Sequence, residues 1–166
     1  MSELIRIAQN QKETVDLRAA AISYLGQTQG KYPPGFWENL FTKKVNPIPL
    51  RIAAMNAMET LQILNEERLI FTQILQDPGE PTELRKSVIL TSGRTLSSAE
   101  FEAETIAIIS KPENPLEIRQ FALDNLAVSA TEAILPQLKT ILSREKNRIL
   151  ASELETLITN LTSKHS

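Results

Sequence analysis

The chain of 166 residues has no cysteine, which removes disulfide frameworks, thiolate zinc sites and cysteine nucleophiles. It has a single histidine, His165, second from the C-terminal end. Histidine-pair metal sites and a Ser-His-Asp triad are therefore excluded unless that tail folds back. Aromatic residues are 5% of the chain and glycines number five. No apolar run approaches the ~20 residues that cross a bilayer. The start, Met1-Ser2-Glu3-Leu4-Ile5-Arg6, puts an acid where a secretion signal needs a basic flank. Charge of one sign is lacking too: Lys+Arg 18 against Asp+Glu 20 leaves −2, which supplies no field for a polyanion. These absences predict a non-catalytic protein with no metal, no cofactor, no nucleic-acid partner and no membrane span, cytoplasmic by default.

Against that background, 42% hydrophobic and 23% charged residues match an ordinary globular protein, and the length predicts one domain, 1–166. Its organisation is repetitive. Arginine follows an aliphatic residue at Leu17-Arg18, Leu50-Arg51, Leu84-Arg85 and Ile118-Arg119, at spacings of 33, 34 and 34 residues. Four residues before it stand Thr14, Pro47, Pro81 and Pro115; two before it stand Asp16, Pro49, Glu83 and Glu117. Three after it come Ala21, Ala54, Val88 and Ala122, four after it Ile22, Met55, Ile89 and Leu123. Seven after it come Leu25, Met58, Ser92 and Leu126, with only Ser92 out of line. Apolar residues at −1, +3, +4 and +7 make one stripe of an α-helix. Proline suits the entry of such a helix, where a missing N–H costs nothing and its fixed φ is already helical.

The segments between these helices predict a partner helix in each period. They are Ser2–Asn10, Phe36–Lys44, Glu66–Gln76 and Ala99–Ser110, the last opened by the capping box Ser97-x-x-Glu100. A degenerate fifth unit follows, with Glu132–Ser143 entered through Thr131 and delayed or bent by Pro136. Its second helix runs from about Arg148. There Leu150 takes the arginine's place, 31 residues after Arg119, and leads a seam of Leu154, Leu157 and Leu161. A last helix with one apolar stripe and a polar outer face closes a stack of repeats.

The segment Leu17-Arg18-Ala19-Ala20-Ala21-Ile22-Ser23-Tyr24-Leu25-Gly26 resembles the second helix of a HEAT-like repeat of the short kind named after phycobilisome lyases. Leu50-Arg51-x-x-Ala54, Leu84-Arg85-x-x-Val88 and Ile118-Arg119-x-x-Ala122 match its core as well. The resemblance covers residues 1–162 as five repeats, 1–30, 31–64, 65–97, 98–130 and 131–162. It implies an all-α fold, a right-handed α-α superhelix of about five helix pairs, and a scaffold or adaptor that binds another protein. Some relatives of this kind handle bilin chromophores, which makes a bilin-lyase-like protein or its accessory subunit the alternative; a lesion-binding helical-repeat protein stands behind it.

Candidate residues carry two readings each. The ladder Arg18, Arg51, Arg85 and Arg119 either ties neighbouring turns together, through Glu13, Asn46, Glu80 or Asn114 at −5 or the acids at −2, or offers a cationic row to phosphate. Tyr32, Phe36, Trp37 and Phe41 either fill a wedge between units or leave Trp37 exposed as a binding anchor. The positions +1, +5 and +9 from the arginines share the face that would line an inner surface. They read Ala19/Ser23/Gln27, Ile52/Asn56/Thr60, Lys86/Leu90/Arg94 and Gln120/Asp124/Val128. Candidate partner contacts are therefore Trp37, Phe41, Tyr32, Asn56, Lys86, Leu90, Arg94 and Asp124. The acids Glu100, Glu102, Glu104, Glu113 and Glu117 read as a solvated edge. The short lead helix predicts an incompletely covered first repeat, through which the chain would self-associate.

Overall fold

The computed structural model describes residues 1–63 and 68–163, the Arg68 side chain excepted. His165 lies outside them, as do Glu66 and Glu67 at the expected start of the third lead helix. The regular structure of the described residues is helical, with no strand among them. In chain order the helices are α1 (Ser2–Gln9), α2 (Val15–Gly26), α3 (Phe36–Thr42), α4 (Ile48–Thr60), α5 (Arg68–Gln76) and α6 (Thr82–Thr95). They continue with α7 (Ser98–Ile109), α8 (Leu116–Ser129), a 3-10 turn at Glu132–Ile134, α9 (Leu135–Leu142) and α10 (Arg148–Ser163).

The residue four before each arginine sets where its helix begins. Thr14, Pro47, Pro81 and Pro115 each give their carbonyl to the backbone N–H of the arginine, at 3.0, 3.2, 3.0 and 3.2 Å. An N-cap needs a carbonyl and no N–H of its own, which is what proline has left to offer. Thr14 adds its hydroxyl, which accepts from the Leu17 N–H. The lead helices follow equally local causes. Ser97 and Glu100 form both halves of the capping box that opens α7. α3 stops at Thr42, short of the expected Lys44, because Lys43 turns extended and the Asn46 amide donates to the Asn39 and Leu40 carbonyls. In the last lead segment Pro136 falls in the first turn of α9, so the chain forms a 3-10 turn first and enters the α-helix at Leu135.

Two compact units divide the chain, Met1–Ser87 and Val88–Ser166, the boundary falling inside α6. In the first, α1 packs on α2, α3 on α4, and α2 on α4. Gly26 makes the α2–α4 approach possible: a Cβ there would lie 2.5 Å from the Ala57 Cβ. In the second unit, α7 packs on α8, α9 on α10, α8 on α10 and α7 on α9.

The buried stripe is the one the repeat predicts. Leu50, Ile118, Ala54, Ala122, Ile22, Met55, Leu25, Met58 and Leu126 are all buried, and each large aliphatic side chain among them contributes about 1.5–3 kcal/mol on leaving water. Leu17 departs from its column and stands 45% exposed. Ser92, the odd member at +7, is buried like the others, and its hydroxyl has no hydrogen-bond partner.

Candidate partner surface

The four repeat arginines occupy equivalent places. Each Nε–H donates to the carbonyl of the residue ten positions earlier: Arg18 to Ala8 at 3.0 Å, Arg51 to Phe41 at 2.6 Å, Arg85 to Leu75 at 3.1 Å and Arg119 to Ile109 at 2.8 Å. Those carbonyls lie in the last turns of α1, α3, α5 and α7, where a helix leaves carbonyls without partners and carries a partial negative charge. The acceptor common to all four is thus a main-chain oxygen at −10, and the −2 acids Asp16, Glu83 and Glu117 are exposed.

The −5 position enters in a second way. The Arg51 fork also grips Glu80 with two bonds, of 2.6 and 3.0 Å. Arg119 holds Glu145, five residues before Leu150, through a single bond. Glu80 and Glu145 therefore link one helix pair to the next within their own units. Burial pushes the Glu145 carboxyl up, but the Asn147 N–H, the Arg119 guanidinium and the Lys146 N–H outweigh it and hold it below the usual glutamate range. Burial pulls the Arg85 guanidinium below its ordinary value, with Asp77 opposing. All four arginines are 1–6% exposed, so they present no cationic row to a phosphate backbone.

The second-helix face is regular. The +1 residues Ala19, Ile52, Lys86 and Gln120 are half-buried, and the +5 and +9 residues, Ser23, Gln27, Asn56, Thr60, Leu90, Arg94, Asp124 and Val128, are all exposed. Counting from Leu150, Ala151 is half-buried and Glu155 and Thr159 are exposed, which supports that register for α10. Of the candidate contacts, Asn56, Leu90, Arg94 and Asp124 lie on open surface and Lys86 is half-covered.

The aromatic candidates are placed differently. Trp37 is 6% exposed, Phe41 is fully buried against Phe71 with ring centroids 5.4 Å apart, and Tyr32 is half-buried. Tyr32, Phe36 and Trp37 pack on one another at 4.9–5.8 Å. The Tyr32 hydroxyl is held by the Leu25 and Thr28 carbonyls. Trp37 and Phe41 are core residues, so the reading of either as an exposed anchor is corrected: α3 is short and turns both sides of its wide apolar arc inward. A cleft of about 480 Å³ borders Tyr32, Trp37 and Ile63.

The expected acidic edge also breaks up. Glu102 is 5% exposed, and its carboxylate accepts the Thr131 N–H at 2.7 Å, fixing the chain where the last lead segment begins. Glu100 belongs to the capping box, and Glu104 is half-buried. Glu100, Glu113 and Glu117 are exposed as expected. Buried capping acids had no signature in composition, because their partners are backbone N–H groups far along the chain.

A groove of about 560 Å³ runs between α8 and α10, walled by Asp124 and Ala127 on one side and Glu153, Thr156 and Asn160 on the other, over a floor that includes Leu157. The Gln120 amide donates to Glu153 Oε1 at 2.8 Å, while Glu153 Oε2 is buried with no partner. Among the described residues no group of three His, Asp or Glu could hold a metal ion, and no helix is long and apolar enough to cross a membrane. No family model, no curated protein and no solved structure matches the chain.

Proposed function

We propose that the chain is a HEAT-like α-solenoid acting as a non-catalytic scaffold, and that within each unit the second-helix faces, at the +5 and +9 positions from α2 and α4 in the first and from α6 and α8 in the second, receive another protein. One observation carries this reading: the arginine-to-carbonyl bond recurs in four helix pairs with the same offset of ten residues. A bond repeated at constant offset is what a stack of equal bricks requires, since each pair must present the same surface to the next. In each unit the exposed +5 and +9 residues mix polar and apolar side chains, including Leu90 and Val128 of the second unit at 44% and 88% exposure. Such faces fit a protein partner better than a nucleic acid, which would need a basic face. Exposed Leu17 and Tyr24 on α2 are the surface through which a second copy would add at the first repeat.

The test is capture of partners by the tagged chain, followed by surface variants. Leu90→Asp and Val128→Asp abolish the capture of a specific protein, while Ala103→Asp and Gln137→Asp on the lead helices leave it intact. The opposite pattern, with circular dichroism unchanged in all four variants, overturns the assignment of the face.

A further inference from the structure

We propose that the groove between α8 and α10 receives a cationic side chain, arginine or lysine, from an extended segment of the protein partner. The inference rests on the scaffold reading above and names the partner's chemistry at one place on that surface.

Three observations converge there. The first is charge. From Gln120 to Leu138 and from Ile149 to Ser163 the sequence has no Lys or Arg. Asp124 and Glu153 pair with no cation among the described residues, whereas Asp77, Glu80 and Glu145 each hold one. The groove is therefore negative without internal compensation, and a cation is its complement.

The second is a break in the repeat. Glu153 stands three residues after Leu150, in the column of Ala21, Ala54, Val88 and Ala122, all of them small and buried. A carboxylate in a small-apolar column contradicts the pattern that the rest of the chain obeys, and such local breaks concentrate at functional places. One oxygen of this carboxylate is held by Gln120, and the other is buried and has no donor. Leaving it so costs free energy that a charged donor would recover. The terminal torsion of a glutamate is broad and soft, so the oxygen turns toward an incoming guanidinium at little cost.

The third is space. In the first unit the second helices close on each other through Gly26, eight residues after its arginine, and Ala57, six after its own. The same offsets in α8 and α10 hold Ala127 and Thr156, both on the groove walls. The junction that is shut between α2 and α4 stands open here. Apolar Leu123, Ala127 and Leu157 on its lining suit the methylene stem of a long basic side chain, whose head then meets Asp124 and Glu153.

The experiment is a titration of the full ¹⁵N-labelled chain, at low salt, with an acetylated, amidated alanine–leucine peptide carrying one arginine. The control is the identical peptide with citrulline, which keeps the shape and loses the charge. The arginine peptide shifts the amides of Asp124, Ala127, Glu153 and Asn160 saturably, at least tenfold more tightly than the citrulline peptide. Asp124→Asn combined with Glu153→Gln removes that difference. Equal binding of the two peptides, no shifts at all, or shifts centred on Glu113 and Glu117 overturns the proposal. So does displacement by calcium or magnesium at lower concentration than the peptide, which makes the groove a metal site, or the same shifts on concentrating the chain alone, which makes its occupant a second copy. Glu153→Met keeps or raises the melting temperature; a fall of several degrees makes Glu153 a structural residue and sinks the idea. If partner capture still depends on Leu90 and Val128 after such a result, the scaffold reading survives and only the groove's ligand is refuted.

Discussion

Replacing Arg51 by Met keeps most of the buried stem and removes three bonds: one to the Phe41 carbonyl and two to Glu80. The pair is buried, Arg51 at 2% and Glu80 at 7% exposure. Removing one partner of such a pair strands the other charge and costs about 3–5 kcal/mol. Lys44 Nζ, 3.9 Å from Glu80 Oε1, recovers a part, which places the expected loss toward the lower end. Arg18 supplies the control, because among the described residues its side chain bonds to the Ala8 carbonyl alone; Arg18→Met forfeits about 1–3 kcal/mol. At about 2–4 °C per kcal/mol for a chain of this size, a loss of about 3 kcal/mol lowers the melting temperature by roughly 6–12 °C. The assay is thermal and urea unfolding followed by fluorescence of Trp37, the one tryptophan, which lies in the same unit. Arg51→Met combined with Glu80→Leu is less damaging than the sum of the single changes, the coupling expected of groups in direct contact. If Arg51→Met costs no more than Arg18→Met, or the double variant is simply additive, the two-sided role of the arginine fork is wrong.

Two further outcomes follow from the packing. Glu145 has its pKa lowered by the fold, so its contribution is fully present above the ordinary glutamate value of 4.5 and fades as the pH falls through the folded value. Glu145→Gln is therefore destabilising at pH 7 and indistinguishable from wild type in acid; thermal melts from pH 7 to pH 3 that stay parallel for the two proteins contradict this. Gly26→Ala puts a methyl 2.5 Å from the Ala57 Cβ and lowers stability by about 1–3 kcal/mol by overpacking; an unchanged urea midpoint refutes the close approach of α2 and α4.

Helix pairs were legible in the sequence because their causes are local. The apolar offsets around each arginine, the prolines four residues before and the Ser97–Glu100 box are short-range patterns with one physical meaning each. The acceptor of the arginines was not legible: every residue has a carbonyl, so nothing in the side chains marks Ala8, Phe41, Leu75 or Ile109 as the one used. Glu80 could be placed because a side chain at −5 recurs as Glu or Asn. Glu102 could not, since a buried acid that takes a backbone N–H 29 residues away looks like any surface glutamate. Trp37 shows the same limit from the apolar side. Its helical face was clear, but its burial depends on Tyr32 and Phe36 closing over it, which is a matter of tertiary packing. Glu153 reads in the sequence as one more residue of the polar outer face of the last helix; its place in a small-residue column acquired a meaning only with its buried oxygen and the open α8–α10 junction.

Side-chain hydrogen exchange of the nine arginines bears most directly on the repeated arginine bond, from which the fold and the proposed surface are both argued. If that bond organises the chain, the Nε–H groups of Arg18, Arg51, Arg85 and Arg119 exchange far more slowly than those of Arg144 and Arg148, which open to water at the surface. Four signals exchanging at the surface rate contradict the account.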